Sequence, residues 1–189
     1  MSRILGVDFD NTLACYDRAF HQVGVAVGLI GEGPVLTKQQ VKARLHDDSR
    51  FEDWTRLQGL VYGPEIGRAT PFEGALETLS ELQRQGWKVY IVSHKTRYPV
   101  IGDRHDLHAA AGGWLAAQGF TAMDGIYFEQ TLEGKIARIA SLGCQAFVDD
   151  LAEVLADPQF PSIRKLLFQP SGPPSGLRSW SQVPLWLEE

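Results

Sequence analysis

An α/β fold is predicted for this chain: a parallel sheet sandwiched by helices, with a small α-helical insert. Three observations predict it. The opening run Ile4-Leu5-Gly6-Val7 is apolar on both strand faces, as a strand buried from two sides requires. After Pro71, strand-like and helix-like segments alternate, which favours parallel strands joined by crossover helices. Almost every polar residue of chemical interest stands just after a strand, where open α/β sheets bind their ligands; Lys135, at a helix start, is the exception.

Residues 3–9 read as the first buried strand. From Leu13 to about Leu29 the pattern turns helical, with Phe20, Val23, Val27 and Ile30 at helical spacing, until Gly31-Glu32-Gly33-Pro34 stops it. Thr37 is placed to cap a second helix, and Gln40 three residues on completes a capping box. Phe51 to Val61 is a third helix, closed by Gly63-Pro64. These segments, residues 14–70, contain no convincing strand and define the helical insert, leaving 1–13 and 71–189 as the core. In the core, 72–85 is a helix closed by Gly86, 87–92 a strand ending at Ser93, and 105–118 a helix closed by Gly119. Strand 125–128, helix 135–142, strand 145–148, helix 151–156 and strand 163–168 follow. The Pro/Ser/Gly-rich stretch 169–176 reads as a loop before a short C-terminal segment.

With 189 residues and 44% hydrophobic content, the chain can bury a substantial core. A net charge of −5 argues against nucleic acid or an anionic membrane as the main partner, while small anionic substrates remain compatible with local basic groups and a metal. Two cysteines, Cys15 and Cys144, suggest neither a disulfide framework nor a metal cluster, which fits a reducing cytoplasmic setting. No targeting segment is expected ahead of the first strand, and the longest apolar stretch, 23–31, is too short to span a bilayer. His105 and His108, on one helix, read as ordinary surface histidines.

The first strand ends in Asp8-Phe9-Asp10-Asn11-Thr12. Two carboxylates two residues apart on a regular strand share a side, and like charges that close need a cation or a shared proton. A divalent cation preferring oxygen ligands would suit Asp8, the main-chain carbonyl of Asp10, and Asp149 or Asp150 at another strand end. Once the cluster is neutralised, Asp8 can attack an anionic phosphorus. Asp10 can then protonate the leaving alcohol and later activate water. Ser93 and backbone amides, with Asn11 among the candidates, would hold phosphoryl oxygens, and Lys135 would offset developing charge. His94, Lys95 and Arg97 follow Ser93 and form a candidate basic lip toward substrate; Lys95 also rivals Lys135 for the stabilising role.

Asp8-Phe9-Asp10-Asn11-Thr12-Leu13 resembles the first motif of the haloacid dehalogenase (HAD) superfamily of phosphohydrolases. Val89-Tyr90-Ile91-Val92-Ser93 is similar to its second motif, Lys135 to the third, and Phe147-Val148-Asp149-Asp150 to the fourth, so the resemblance spans about residues 3–168. It implies a Rossmann-like core with a helical cap at about 14–70, and Mg²⁺ as cofactor. It further implies Asp8 as nucleophile, Asp10 as general acid/base, Ser93 as phosphate binder, Lys135 as charge stabiliser and Asp149 as metal anchor. Asp150 or Glu153 would supply an outer contact. The dehalogenase branch typically lacks an aspartate at the Asp10 position, so its presence favours phosphate chemistry. The expected activity is a Mg²⁺-dependent phosphomonoesterase acting on a small soluble phosphorylated metabolite. A phosphotransferase or mutase sharing its intermediate, or a low-turnover regulatory protein, is the alternative.

Overall fold

The structure, a computed structural model, describes residues 3–188. In chain order it contains β1 (Arg3–Val7), β2 (Ala14–Cys15), α1 (Asp17–Ala26), α2 (Lys38–Asp47), α3 (Phe51–Tyr62), β3 (Thr70–Pro71), α4 (Ala75–Arg84) and β4 (Trp87–His94). There follow α5 (Leu107–Ala117), β5 (Gly125–Glu129), α6 (Leu132–Ser141), β6 (Ala146–Asp149), α7 (Ala152–Leu155), β7 (Arg164–Leu167) and α8 (Val183–Glu188). Among the described residues, no helix is long and apolar enough to cross a membrane.

Five strands form one parallel sheet in the order β5-β4-β1-β6-β7. The chain builds outward from β1 through β4 to β5, then returns and builds the other way through β6 to β7. That reversal opens a crevice at the carboxyl ends of β1 and its neighbours. Gly6 serves close packing in this sheet: a Cβ there would lie 2.4 Å from the ring of Phe147, its partner on β6. One face of the sheet presents Tyr90, Val92 and Phe147, which pack with Ile136 and Ile139 of α6 and with Val154 and Leu155 of α7. Strand alternation turns the buried Val89 and Ile91 to the opposite face, and α4 packs against β4.

The chain divides into two compact units. One takes the described parts of Met1–Ala14, Pro71–Lys95 and Gly119–Glu189 and contains the sheet; the other takes Cys15–Thr70 and Thr96–Gln118. In the second unit α1, α2, α3 and α5 pack together, with Phe20 stacked on Trp54 at 4.9 Å between ring centroids and Tyr62 set edge-on to Tyr16 at 5.0 Å. The Thr37–Gln40 capping box forms as its spacing predicts. Residues 96–118, which the sequence reading left with the core, cluster with these helices, where α5 packs on α3 and Trp114 Nε1 donates to the Ala69 carbonyl at 3.0 Å.

Several features differ from expectation. The first strand stops at Val7, not residue 9, because the chain turns at once: the Phe9 carbonyl accepts the N–H groups of both Leu13 and Ala14. The first predicted helix starts late, at Asp17, after an extended pair of residues. The C-terminal segment is more than a loose end: Trp180 is fully buried, opens a short 3₁₀ turn capped by Ser179 and Gln182, and lies 5.7 Å from the Phe168 ring.

Candidate active site

Parallel register decides which side chains meet. Val7 pairs with Val148, so Asp8 and Asp149 stand level at the carboxyl ends of β1 and β6. The Asp8 N–H donates to the Val148 carbonyl at 2.9 Å, which carries the ladder one residue past the strand. On the other side of β1, Ser93 near the end of β4 donates its hydroxyl to Asp8 Oδ1 at 2.9 Å. Lys135 comes from the first turn of α6, a helix capped by Thr131, whose hydroxyl accepts the Gly134 N–H. Its Nζ donates to Asp8 Oδ1 at 2.7 Å and to Asp149 Oδ2 at 2.6 Å. The Leu151 N–H donates to Asp149 Oδ1 at 3.0 Å, and the Thr12 hydroxyl makes a long 3.4 Å contact with Asp8 Oδ2.

Asp8, Ser93, Lys135 and Asp149 are each no more than 5% exposed, so water does little to screen these charges. Burial works against the Lys135 ammonium, as does the positive end of its helix, yet the fields of Asp8 and Asp149 hold its pKa above the ordinary lysine value. For Asp149 the balance is reversed. Burial and then repulsion from Asp8 push its carboxyl up to about 6, against the pull of Lys135. One lysine between two buried carboxylates leaves a surplus of negative charge, and Asp149 carries the strain.

That surplus fits a divalent cation. Asp8, Asp149 and Asp150 each offer a carboxylate oxygen, and these oxygens lie within 4.8 Å of one another. Three carboxylates less one ammonium leave two negative charges, presented by the hard oxygen donors that Mg²⁺ prefers. The Asp10 carboxylate is outside this group, so the sequence reading of Asp10 as a ligand rests on its main-chain carbonyl. Glu153 is exposed and is not one of the three.

The remaining candidates fall in different places. Asp10 turns to Lys95, whose Nζ lies 2.7 Å from Asp10 Oδ2. Lys95 is 4% exposed, so it is part of the buried site and not of a solvated lip. Asn11 has φ of 59° and gives its N–H to the Ala14 carbonyl; the left-handed turn by itself accounts for an asparagine there. His94 is exposed, as strand alternation between the two buried residues Ser93 and Lys95 dictates. Arg97 lies in the helical unit and pairs with Asp106 at 3.0 Å, while the Asp106 carboxylate also caps α5 through the Ala109 N–H. Cys15 is half-buried with its thiol pushed up by burial, and buried Cys144 is pushed up to about 11; neither is poised as a nucleophile.

Sequence reasoning missed Trp180. Its indole N–H donates to the Thr12 carbonyl at 3.1 Å, pinning the turn that carries Asp10 and Thr12. The signal for it is slight: a Ser-x-x-Gln capping box beyond a Pro/Gly loop.

No protein-family model matches the chain, and no curated protein matches it. Solved structures do. A magnesium-bound putative HAD-hydrolase, YfnB from Bacillus subtilis, is 13% identical over 100% of this chain and 99% of its own, with a TM-score of 0.60. A predicted phosphoglycolate phosphatase from Haemophilus somnus 129PT is 14% identical over 100% and 98%, with a TM-score of 0.56. An L-2-haloacid dehalogenase is 12% identical over 100% and 99%, with a TM-score of 0.59. These matches span nearly the whole of each chain: this chain, with its five-stranded parallel sheet, has the fold of the HAD-superfamily hydrolases.

Proposed function

We propose that the protein is a Mg²⁺-dependent phosphomonoesterase for a small phosphorylated metabolite, with Asp8 as nucleophile and Asp10 as general acid/base. The observation that carries this reading is the division of partners between the two acids. Asp8 sits with Ser93, Lys135 and the metal-ligand candidates, whereas Asp10, two residues on, is paired with a separate buried lysine. Two carboxylates in different electrostatic settings can take two roles. Ser93 and Lys135 both contact Asp8 Oδ1, while Oδ2 receives only the long Thr12 contact, so Oδ2 is the oxygen better placed to attack phosphorus. Attack forms an Oδ2–P bond and breaks the P–O bond to the alcohol, which takes from Asp10 the proton that Asp10 has first accepted from the bound phosphate monoanion. Asp10 then accepts a proton from the water that attacks the acyl-phosphate, releasing phosphate and restoring Asp8. A Mg²⁺ held by Asp8, Asp149 and Asp150 would neutralise the approaching phosphoryl oxygens.

The solved neighbours of this fold include both phosphatases and a dehalogenase, so the test is a direct competition. A panel of phosphate monoesters with Mg²⁺ is expected to release free phosphate from at least one member, with no halide released from 2-haloacids. Halide release alone would overturn the reading, and phosphate passed to a second alcohol in place of water would make the protein a phosphotransferase. Asp10→Asn should slow hydrolysis by roughly 10²-fold or more, the usual worth of a positioned acid/base. An unchanged rate would remove Asp10 from the mechanism.

Metal binding should depend on pH with a defined sign. The Asp149 carboxyl, pushed up to about 6, is protonated below that pH, and a cation must displace the proton. Mg²⁺ affinity measured by calorimetry is therefore expected to be flat above about pH 7 and to fall roughly tenfold per unit below about pH 6. Lys135 stays charged throughout this window and adds no slope.

A further inference from the structure

Four carboxylates gather at these strand ends, and Lys135 serves two of them; a second buried lysine, Lys95, serves a third. We propose that Lys95 is the positioning residue of Asp10, holding its carboxyl group where, once protonated, it meets the leaving-group oxygen. The proposal rests on the phosphomonoesterase reading and adds a residue to it.

β4 runs parallel to β1, and its side chains alternate. Ser93 and Lys95, two residues apart, are buried, while His94 between them is exposed. Asp8 and Asp10 are also two residues apart. The two spacings match: Ser93 donates to Asp8 at 2.9 Å and Lys95 to Asp10 at 2.7 Å. A Ser-x-Lys segment thus addresses an Asp-x-Asp segment through side chains of equal spacing, beyond the last paired residues Val7 and Ile91.

The lysine is anchored at both ends. Its backbone N–H donates to the Glu129 carbonyl at 2.8 Å, extending the β4–β5 ladder past His94. Its ammonium lies 5.5 Å above the Phe9 ring, whose residue sits between the two acids. Asp10 itself stands beyond the end of β1, in a turn with a left-handed residue beside it, so the sheet does not orient its side chain. An ion pair to a residue the sheet does fix supplies that orientation. Proton donation to a leaving oxygen demands this, because general-acid efficiency depends on hydrogen-bond reach in the transition state.

The test uses substituted phenyl phosphates and kcat/KM, which reports steps up to phosphorylation of Asp8. A poor leaving group, phenol, needs a proton in the transition state; 4-nitrophenol does not. Lys95→Met is expected to lower kcat/KM for phenyl phosphate roughly tenfold or more, and for 4-nitrophenyl phosphate by less than about threefold. In an Asp10→Asn background the same change should cost nothing further, since Lys95 acts through Asp10. Lys95→Arg should restore the wild-type dependence on leaving group. Equal losses on both esters, multiplicative losses in the double variant, or no loss on either ester would overturn the proposal while leaving the phosphatase reading intact. A wild-type protein inactive on every ester would remove both. If Lys95→Met does not fold, Lys95→Gln carries the same comparison.

Discussion

Asp8→Asn is expected to reduce turnover on the best phosphate ester by about 10³-fold or more, with a metal-free melting temperature equal to or above that of the wild type. The two halves of this expectation come from different physics. An amide is a far poorer nucleophile toward phosphorus than a carboxylate, so the covalent route closes. The same change leaves Lys135 facing one carboxylate, Asp149, where it faced two. Repulsion between Asp8 and Asp149 disappears, and the Asp149 carboxyl should return toward its ordinary value. An asparagine oxygen can still accept from Ser93 and Lys135, so the hydrogen bonds survive. Steady-state kinetics and thermal unfolding with and without Mg²⁺ check both halves: Mg²⁺ should stabilise this variant less than the wild type, because one ligand carries no charge. Activity within tenfold of wild type would exclude Asp8 as the attacking group.

Much of this site was legible because charge at a strand end is costly. Asp8-x-Asp10 and Asp149-Asp150 stand where apolar runs stop, and a period of two identifies which strand residues share a side. Lys135 was harder, since one lysine in an amphipathic helix looks like any solvated lysine until the helix is docked. Lys95 was read by proximity to Ser93, as a rival or a substrate contact. The same period-two rule separates it from exposed His94, but its pairing with Asp10 depends on how the chain turns beyond the end of β1, which no strand pattern reports. The grouping of α5 with the helical unit was illegible for another reason. Periodicity announces that a helix buries a face, not which neighbour it buries it against. Trp180 lies beyond a Pro/Gly-rich loop with no strand or helix pattern, so nothing in the sequence led from it to the Thr12 carbonyl.

Lys135→Met is the substitution expected to damage stability most. Methionine fits the volume of the lysine stem but brings no charge, and Asp8 and Asp149 are then left buried face to face. Removing one partner from a buried ionic group costs about 3–5 kcal/mol, far more than an exposed pair would. The penalty should depend on pH with a sign that identifies its origin. Asp149 already titrates above its unfolded value, and losing Lys135 removes the attraction that restrains that rise. A carboxyl raised in the folded state binds its proton more tightly than in the unfolded chain, so folding is favoured as pH falls through the window between the two values. The destabilisation measured by urea unfolding should therefore be full at pH 7.5 and smaller at pH 5. Mg²⁺ should rescue the variant more than it stabilises the wild type, because Asp8, Asp149 and Asp150 then present three uncompensated charges to the ion. Turnover should stay at least about 10²-fold down even when Mg²⁺ has restored the fold, since an oriented ammonium at the developing charge has been removed. A variant as stable as wild type at pH 7.5 would remove Lys135 from the charge balance, and one whose activity returns with Mg²⁺ would remove it from catalytic stabilisation.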